Sequence, residues 1–220
     1  MPLQNRVTPF AELIVSPTRG MMMGNRGGRI HDAARNLGAR RWASKQWICC
    51  KLDFKNRQRR VWGDSYTELF FLDEVTAFAA GHRPCFECRR KDAQAFATAF
   101  PRVHSAPEMD AVLHRERLDG RSKRMHRFVI DALPDGAMIA RNGEAFAVRS
   151  QKLLRWTPSG YDRTAPRPRG IDVDVLTPSS VLKVLKRGYA PLWHPSAAAP
   201  SLAREAASAA PARSPARNRR

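Results

Sequence analysis

"FFLDEVTAFAAGHRPCFECRR" occupies residues 70–90. An apolar pair ends a strand, and Asp73 stands where a helix N-cap belongs, because its carboxylate can accept the first free backbone N–H groups. "EVTAFAA" continues as a short helix, Gly81 stops it, and Pro84 prevents its resumption. Cys85 and Cys88 then form a CxxC turn. In "RKDAQAFATAF", Ala93, Phe96, Ala97 and Phe100 recur at helical spacing until Pro101. The turn therefore opens a second helix.

The other two cysteines, Cys49 and Cys50, are adjacent within "QWICCKLDF" (46–54), which reads as a strand. Alternation puts Ile48, Cys50, Leu52 and Phe54 on one face and Trp47, Cys49, Lys51 and Asp53 on the other. "TELFF" (67–71) reads as a second strand. Zinc favours four soft ligands, and a CxxC knuckle supplies two of them from one turn. Cys50 can join Cys85 and Cys88 from the apolar face, whereas Cys49 points away unless the strand bulges. The fourth ligand is left among Cys49, His31, His82 and solvent. A redox pair and plainly packed thiols are the competing readings.

The chain carries 39 Lys and Arg against 20 Asp and Glu, a formal charge of +19, with 43% hydrophobic residues. That is enough apolar content for a core, and the field favours polyanions: nucleic acid first, DNA ahead of RNA, then an acidic membrane surface. No apolar run serves as a signal peptide or approaches the roughly 18 residues of a membrane span. A cytoplasmic location is expected, where thiols stay reduced and four cysteines argue for metal or catalysis over a disulfide.

Residues 70–90 resemble the second half of the Ada-type metal-binding domain, the zinc module of the bacterial methylphosphotriester repair protein. In that family a strand and a short Ala-rich helix lead into Gly-aromatic-Arg-Pro-Cys-x-x-Cys. The matching residues are Phe71, Ala77, Ala80, Gly81, Arg83, Pro84, Cys85 and Cys88. The likeness extends over about residues 45–92. It implies a zinc fold that touches the DNA backbone, and a zinc thiolate able to accept a methyl group from a phosphotriester. Two departures stand out: the family's first pair is Cys-x3-Cys, and His82 replaces an aromatic residue.

Several other stretches are candidate sites. "MMMGNRGGRIHD" (21–32) offers Gly24, Gly27 and Gly28 beside Arg26 and Arg29, a pattern suited to phosphate, and His31-Asp32 as a ligand or base pair. "KNRQRR" (55–60) precedes Trp62, which could stack on a single strand. "LHRERLDGRSKRMHR" (113–127) holds His114 and His126, which could serve a nuclease. In the last part, "AMIARNGEAFAVRS" (137–150) predicts a hairpin about Asn142-Gly143, and "KLLRW" a third strand. "TPSSVLKVLKRG" predicts a helix over 178–187, with Thr177 as N-cap. Trp156, Tyr161, Tyr189 and Trp193 are expected in a small C-terminal core.

The expectation is an α+β protein. A basic zinc-binding module (1–100, core 45–92) is followed by a basic connector (101–124), a strand-rich unit with one helix (125–195) and a disordered Ala/Pro/Arg tail (196–220). The expected function is zinc-dependent binding of nucleic acid through its phosphates. Metal falls to Cys50, Cys85, Cys88 and Cys49, and backbone contact to Arg26, Arg29, Arg57, Arg59, Arg60, Arg89 and Arg90. The alternatives are a nuclease or phosphate-processing enzyme using His31 and Asp32, a thiol methyl acceptor at Cys49, or a protein-interaction module.

Overall fold

The computed structural model describes residues 2–56, 60–103 and 105–198, and the fold is α+β. In chain order it contains β1 (Arg6–Val7), β2 (Leu13–Ile14), β3 (Met22–Arg26), β4 (Trp47–Lys51), β5 (Leu69–Phe71), α1 (Glu74–Ala79), β6 (Arg83–Pro84), α2 (Arg90–Ala99) and α3 (Ala106–Arg117). There follow β7 (Leu118–Asp119), β8 (Ser122–Lys123), β9 (His126–Val129), β10 (Met138–Arg141), β11 (Glu144–Arg149), β12 (Lys152–Thr157), β13 (Gly160–Pro166), β14 (Asp172–Val175) and α4 (Ser179–Lys186).

Two six-stranded sheets carry the molecule. The first has the order β2-β1-β5-β3-β4-β6 and the second β13-β12-β11-β10-β14-β9, while β7 and β8 form a separate ribbon. The first sheet is drawn from residues before 85 and the second from residues after 125, so each lies on one side of the expected 101–124 connector. That connector is not merely linking chain. It holds α3, whose start is marked by Pro107 in the first turn and by a Ser105 hydroxyl bonded to Glu108.

Helix α1 joins the two halves. All six of its residues are buried. Val75 and Ala79, one turn apart, pack with Met138, Leu154 and Tyr161 of the second sheet's side. Ala77 packs with Leu69 and Phe71 of the first sheet, and Phe78 with Phe96 of α2, with Phe100 just past its end and with Val181 and Val184 of α4. Asp73 caps α1 as expected, accepting from Thr76 N at 2.9 Å. It also accepts from the Tyr161 hydroxyl at 2.8 Å and from His194 N at 3.1 Å. The N-cap thus ties the helix to the far side of the molecule.

The Asn142-Gly143 hairpin forms between β10 and β11, both turn residues having positive φ, and β12 pairs next to it. The helix expected over 178–187 runs from Ser179 to Lys186, but Thr177 does not cap it. The Thr177 hydroxyl accepts from Met138 N instead, and Glu116 of α3 takes Ser180 N and the Ser180 hydroxyl, both at 2.8 Å. Tyr161 lies in the C-terminal core, whereas Tyr189 packs among Phe78 and Phe96. The first three residues of the expected 196–220 tail are ordered against the second sheet's side. Ser196 accepts from Tyr161 N and Ala197 is buried, while residues 199–220 lie outside the described ones.

Candidate metal centre

The Sγ atoms of Cys50, Cys85 and Cys88 all lie within 4.8 Å of one another. Zn–S bonds of about 2.3 Å in a tetrahedron put sulfurs roughly 3.8 Å apart, so the three are close enough to bind one ion. The sheet explains the convergence. β6 runs parallel to β4, pairing Ile48 with Arg83 and Cys49 with Pro84, and Cys85 N donates to Cys49 O at 3.0 Å. One residue further along each strand, Cys50 and Cys85 meet. Cys85 then turns into α2: Glu87 N points at its sulfur at 3.4 Å and Arg89 N bonds its carbonyl. Cys88 returns beside it at the positive end of the ten-residue helix, where thiolate charge is favoured.

Thiol protons divide unequally across the cluster. Hydrogen bonds from Cys50 and Cys88 hold the Cys85 thiol far below its ordinary value, and donation to Cys85 pushes Cys50 far above. Such mutual dependence suits a metal ion, which would displace the remaining protons.

Cys49 does not belong to the cluster. It is 0% exposed, in the core with Leu69 and Phe71, and burial pushes its thiol up. The alternation along β4 holds, but the face turned to the core is that of Trp47 and Cys49 and not the apolar face of Cys50. Trp47 and Cys49 point into the core, while Ile48, Cys50, Leu52 and Phe54 line a cavity of about 260 Å³. Gly24 of β3 makes this possible, since a Cβ there would stand 2.0 Å from Ile48 O. Cys85 and Cys88 open on the same cavity, with Tyr66, Glu68 and Phe70 across it. Glu68 was not singled out in the sequence, although an acid inside the apolar run "TELFF" is a signal. It is 4% exposed; Oε2 accepts from Trp62 N at 2.7 Å, and Oε1 has no hydrogen-bond partner among the described residues.

The two histidines weighed as fourth ligands lie elsewhere. His31 bonds the Thr67 hydroxyl and Gly63 O and stacks on Trp62. His82 is 0% exposed between Trp47 and Phe71. Neither shares the sulfur cluster. His114 lies against Trp42 and Arg117, and His126 bonds Glu116 O and Ser179.

The arginines divide as well. Arg26 and Arg89 are buried and are not free to meet a backbone at the surface. Arg89 spans Glu74 at 2.7 Å and Asp92 at 2.9 Å, with Cys49 Sγ 3.8 Å away. Arg29, Arg60 and Arg90 are exposed, and Arg57 and Arg59 lie outside the described residues. Trp62 is buried against His31, so it presents no face to a base. Of the glycine-rich 21–32 stretch, Met22–Arg26 is strand β3, which places Gly24 inside the sheet. No helix among the described residues is long and apolar enough to cross a membrane. The likeness to the Ada-type module rests on the residues quoted above. The chain matches no family model, no curated protein and no solved structure.

Proposed function

We propose that Cys50, Cys85 and Cys88 hold a zinc ion whose fourth donor comes from the adjoining cavity, making the centre a site of chemistry as well as a structural clasp. One observation supports this most. Cys50, Cys85, Cys88 and Glu68 line the same cavity, and Glu68 Oε1 is buried with no hydrogen-bond partner among the described residues. Structural zinc sites close themselves with four protein ligands, and catalytic ones leave a position for water or substrate. Zinc bound here would polarise that fourth donor. In this reading Glu68, on the wall of that cavity, is the base for a water or hydroxyl group admitted to it. Arg19 and Lys51 line the same walls and would favour an anionic partner. A methyl-accepting role for Cys49 has no support, since that sulfur is sealed in the core.

Cobalt substitution tests the reading. Cobalt(II) on three thiolates gives strong sulfur-to-metal charge-transfer bands, and azide entering the fourth position would shift its visible spectrum saturably. A cobalt spectrum indifferent to azide and to other small donors would leave only a closed structural site.

A second reading, contact with a nucleic-acid backbone, draws on the +19 charge and on Arg29, Arg35 and Arg60 lining one groove. Binding through phosphates would weaken steeply as salt rises. Salt-independent binding, or none, would remove it.

A further inference from the structure

On the other side of β4, Trp47 stands between two buried arginines, with the half-buried Lys123 nearby. The Arg26 and Arg117 guanidinium carbons lie 4.0 and 3.9 Å from its ring centroid. Arg26 is 2% exposed and Arg117 is 0% exposed. Lys123 Nζ reaches into the same region to bond Ala79 O at 2.7 Å. Among the described residues none of the three has an ion pair, and the nearby Asp110 is held by both forks of Arg83 at 2.9 and 2.7 Å. Backbone carbonyls take part of the load: Gly81 O and Lys45 O for Arg117, Ala11 O and Arg41 O for Arg26. The Nε atoms of both arginines remain buried without an acceptor among the described residues. Burial, and then the charge of Arg26, pushes Arg117 down to about 8; burial, and then the charge of Arg41, pushes Arg26 down to about 9.

Uncompensated buried charge is costly, and a fold that retains two buried guanidiniums with a half-buried ammonium beside them has a use for a counter-charge. A cavity of about 670 Å³ reaches this region, a volume within the usual range of ligand sites. Arg26, Lys123 and Trp47 line it, together with Trp42 and the exposed Arg41 and Arg121; Glu12 is the one acid on its described walls.

We propose that this cavity binds a phosphoryl group, with Arg26 and Lys123 on its inner wall and Arg41 and Arg121 at its mouth. The Arg26 Nε–H and the Lys123 ammonium supply charge-assisted donors, the kind that phosphate oxygens accept best. Arg117 adds to the field through Trp47. Inorganic phosphate, a nucleotide and the terminal phosphate of a nucleic acid share this chemistry. The site lies apart from the sulfur cluster and does not depend on the metal reading.

Calorimetric titration of the full chain tests it at constant ionic strength. The probes are inorganic phosphate, a nucleoside monophosphate, and an oligonucleotide with and without a 5′-phosphate. At least one phosphomonoester probe binds saturably at one site, and the probe that binds tightest names the source. Arg41→Ala and Lys123→Met weaken that binding at least tenfold, whereas Arg60→Ala and Arg90→Ala leave it unchanged. Arg41 is exposed, so its variant keeps the fold, which near-ultraviolet circular dichroism verifies. The proposal fails if no phosphomonoester binds, if the oligonucleotide binds equally without its terminal phosphate and nothing smaller binds, or if Arg41→Ala behaves like Arg60→Ala.

Discussion

Cys49 and Cys50 are neighbours in the chain and have opposite fates: Cys50 Sγ lies within 4.8 Å of the Cys85 and Cys88 sulfurs, while Cys49 is sealed in the core of the first sheet. A strand imposes this, since consecutive side chains leave opposite faces. The pair is therefore one candidate metal ligand and one core residue.

Substituting the pair one at a time separates the two roles. Cys50→Ser, Cys85→Ser or Cys88→Ser should reduce bound metal from about one ion per chain to a small fraction of that, with a lowered melting temperature, because metal-binding free energy is also folding free energy. Cys49→Ala should keep the metal and cost about 1–2 kcal/mol in lost packing, a typical value for one core change. Elemental analysis with denaturant unfolding checks both.

Arg89 and Arg90 are adjacent and should behave as differently. Arg89→Met leaves Glu74, which is fully buried, without its cation, and should cost about 3–5 kcal/mol, the usual range for breaking a buried pair. Because Glu74 keeps bonds from Tyr189 and Leu192 N, the double variant with Glu74→Gln should recover a large part of that. Arg90→Ala should stay within about 0.5 kcal/mol of the parent. Urea titration of the four proteins decides the matter.

Asp73→Ala tests the join between the halves. The carboxylate accepts from Thr76 N, the Thr76 hydroxyl, the Tyr161 hydroxyl and His194 N. Losing a cap costs about 0.5–2 kcal/mol, and each orphaned buried donor about 1–3 kcal/mol more. A total loss of about 3–5 kcal/mol is expected, with fluorescence and circular dichroism still following one transition. A small loss confined to one probe would mean that the halves unfold independently.

His82 should make stability pH-dependent. Burial, and then Arg26 and Arg117, hold its pKa well below the ordinary value. Below about pH 6.5 the unfolded chain takes a proton that the folded chain refuses, so stability falls with falling pH by up to about 1.4 kcal/mol per unit. Above that pH the contribution is constant. Comparing the parent with His82→Phe between pH 6.5 and 5.5 isolates the effect, because protonation of the cysteines is common to both. Equal slopes in the two proteins would contradict it.

Where local chemistry decided the outcome, the sequence was readable. Asp73 caps α1, Gly81 ends it at positive φ, Pro101 follows α2, and Asn142-Gly143 turns the hairpin. The Cys50–Cys85–Cys88 set was also legible, because a knuckle needs a third thiol and only one face of a strand can offer it. Long-range packing hid the rest. Which face of β4 is the core depends on Gly24 admitting β3 and on Phe71 beyond it, neither of which is local to the strand. Arg26 and Arg89 look like surface cations by type. Their burial rests on partners far along the chain: Ala11 O, Trp47 and Glu74. Thr177 had the right position for a cap and lost that role to Glu116, which arrives from α3.

X-ray absorption at the zinc edge of freshly purified protein is the most direct check on the metal centre. The expected coordination is three sulfurs at about 2.3 Å and one lighter atom near 2.0 Å. The Cys49→Ala spectrum should be indistinguishable. A shell of four sulfurs that loses one in Cys49→Ala, or a chain purified without metal that takes up neither zinc nor cobalt, would contradict the assignment.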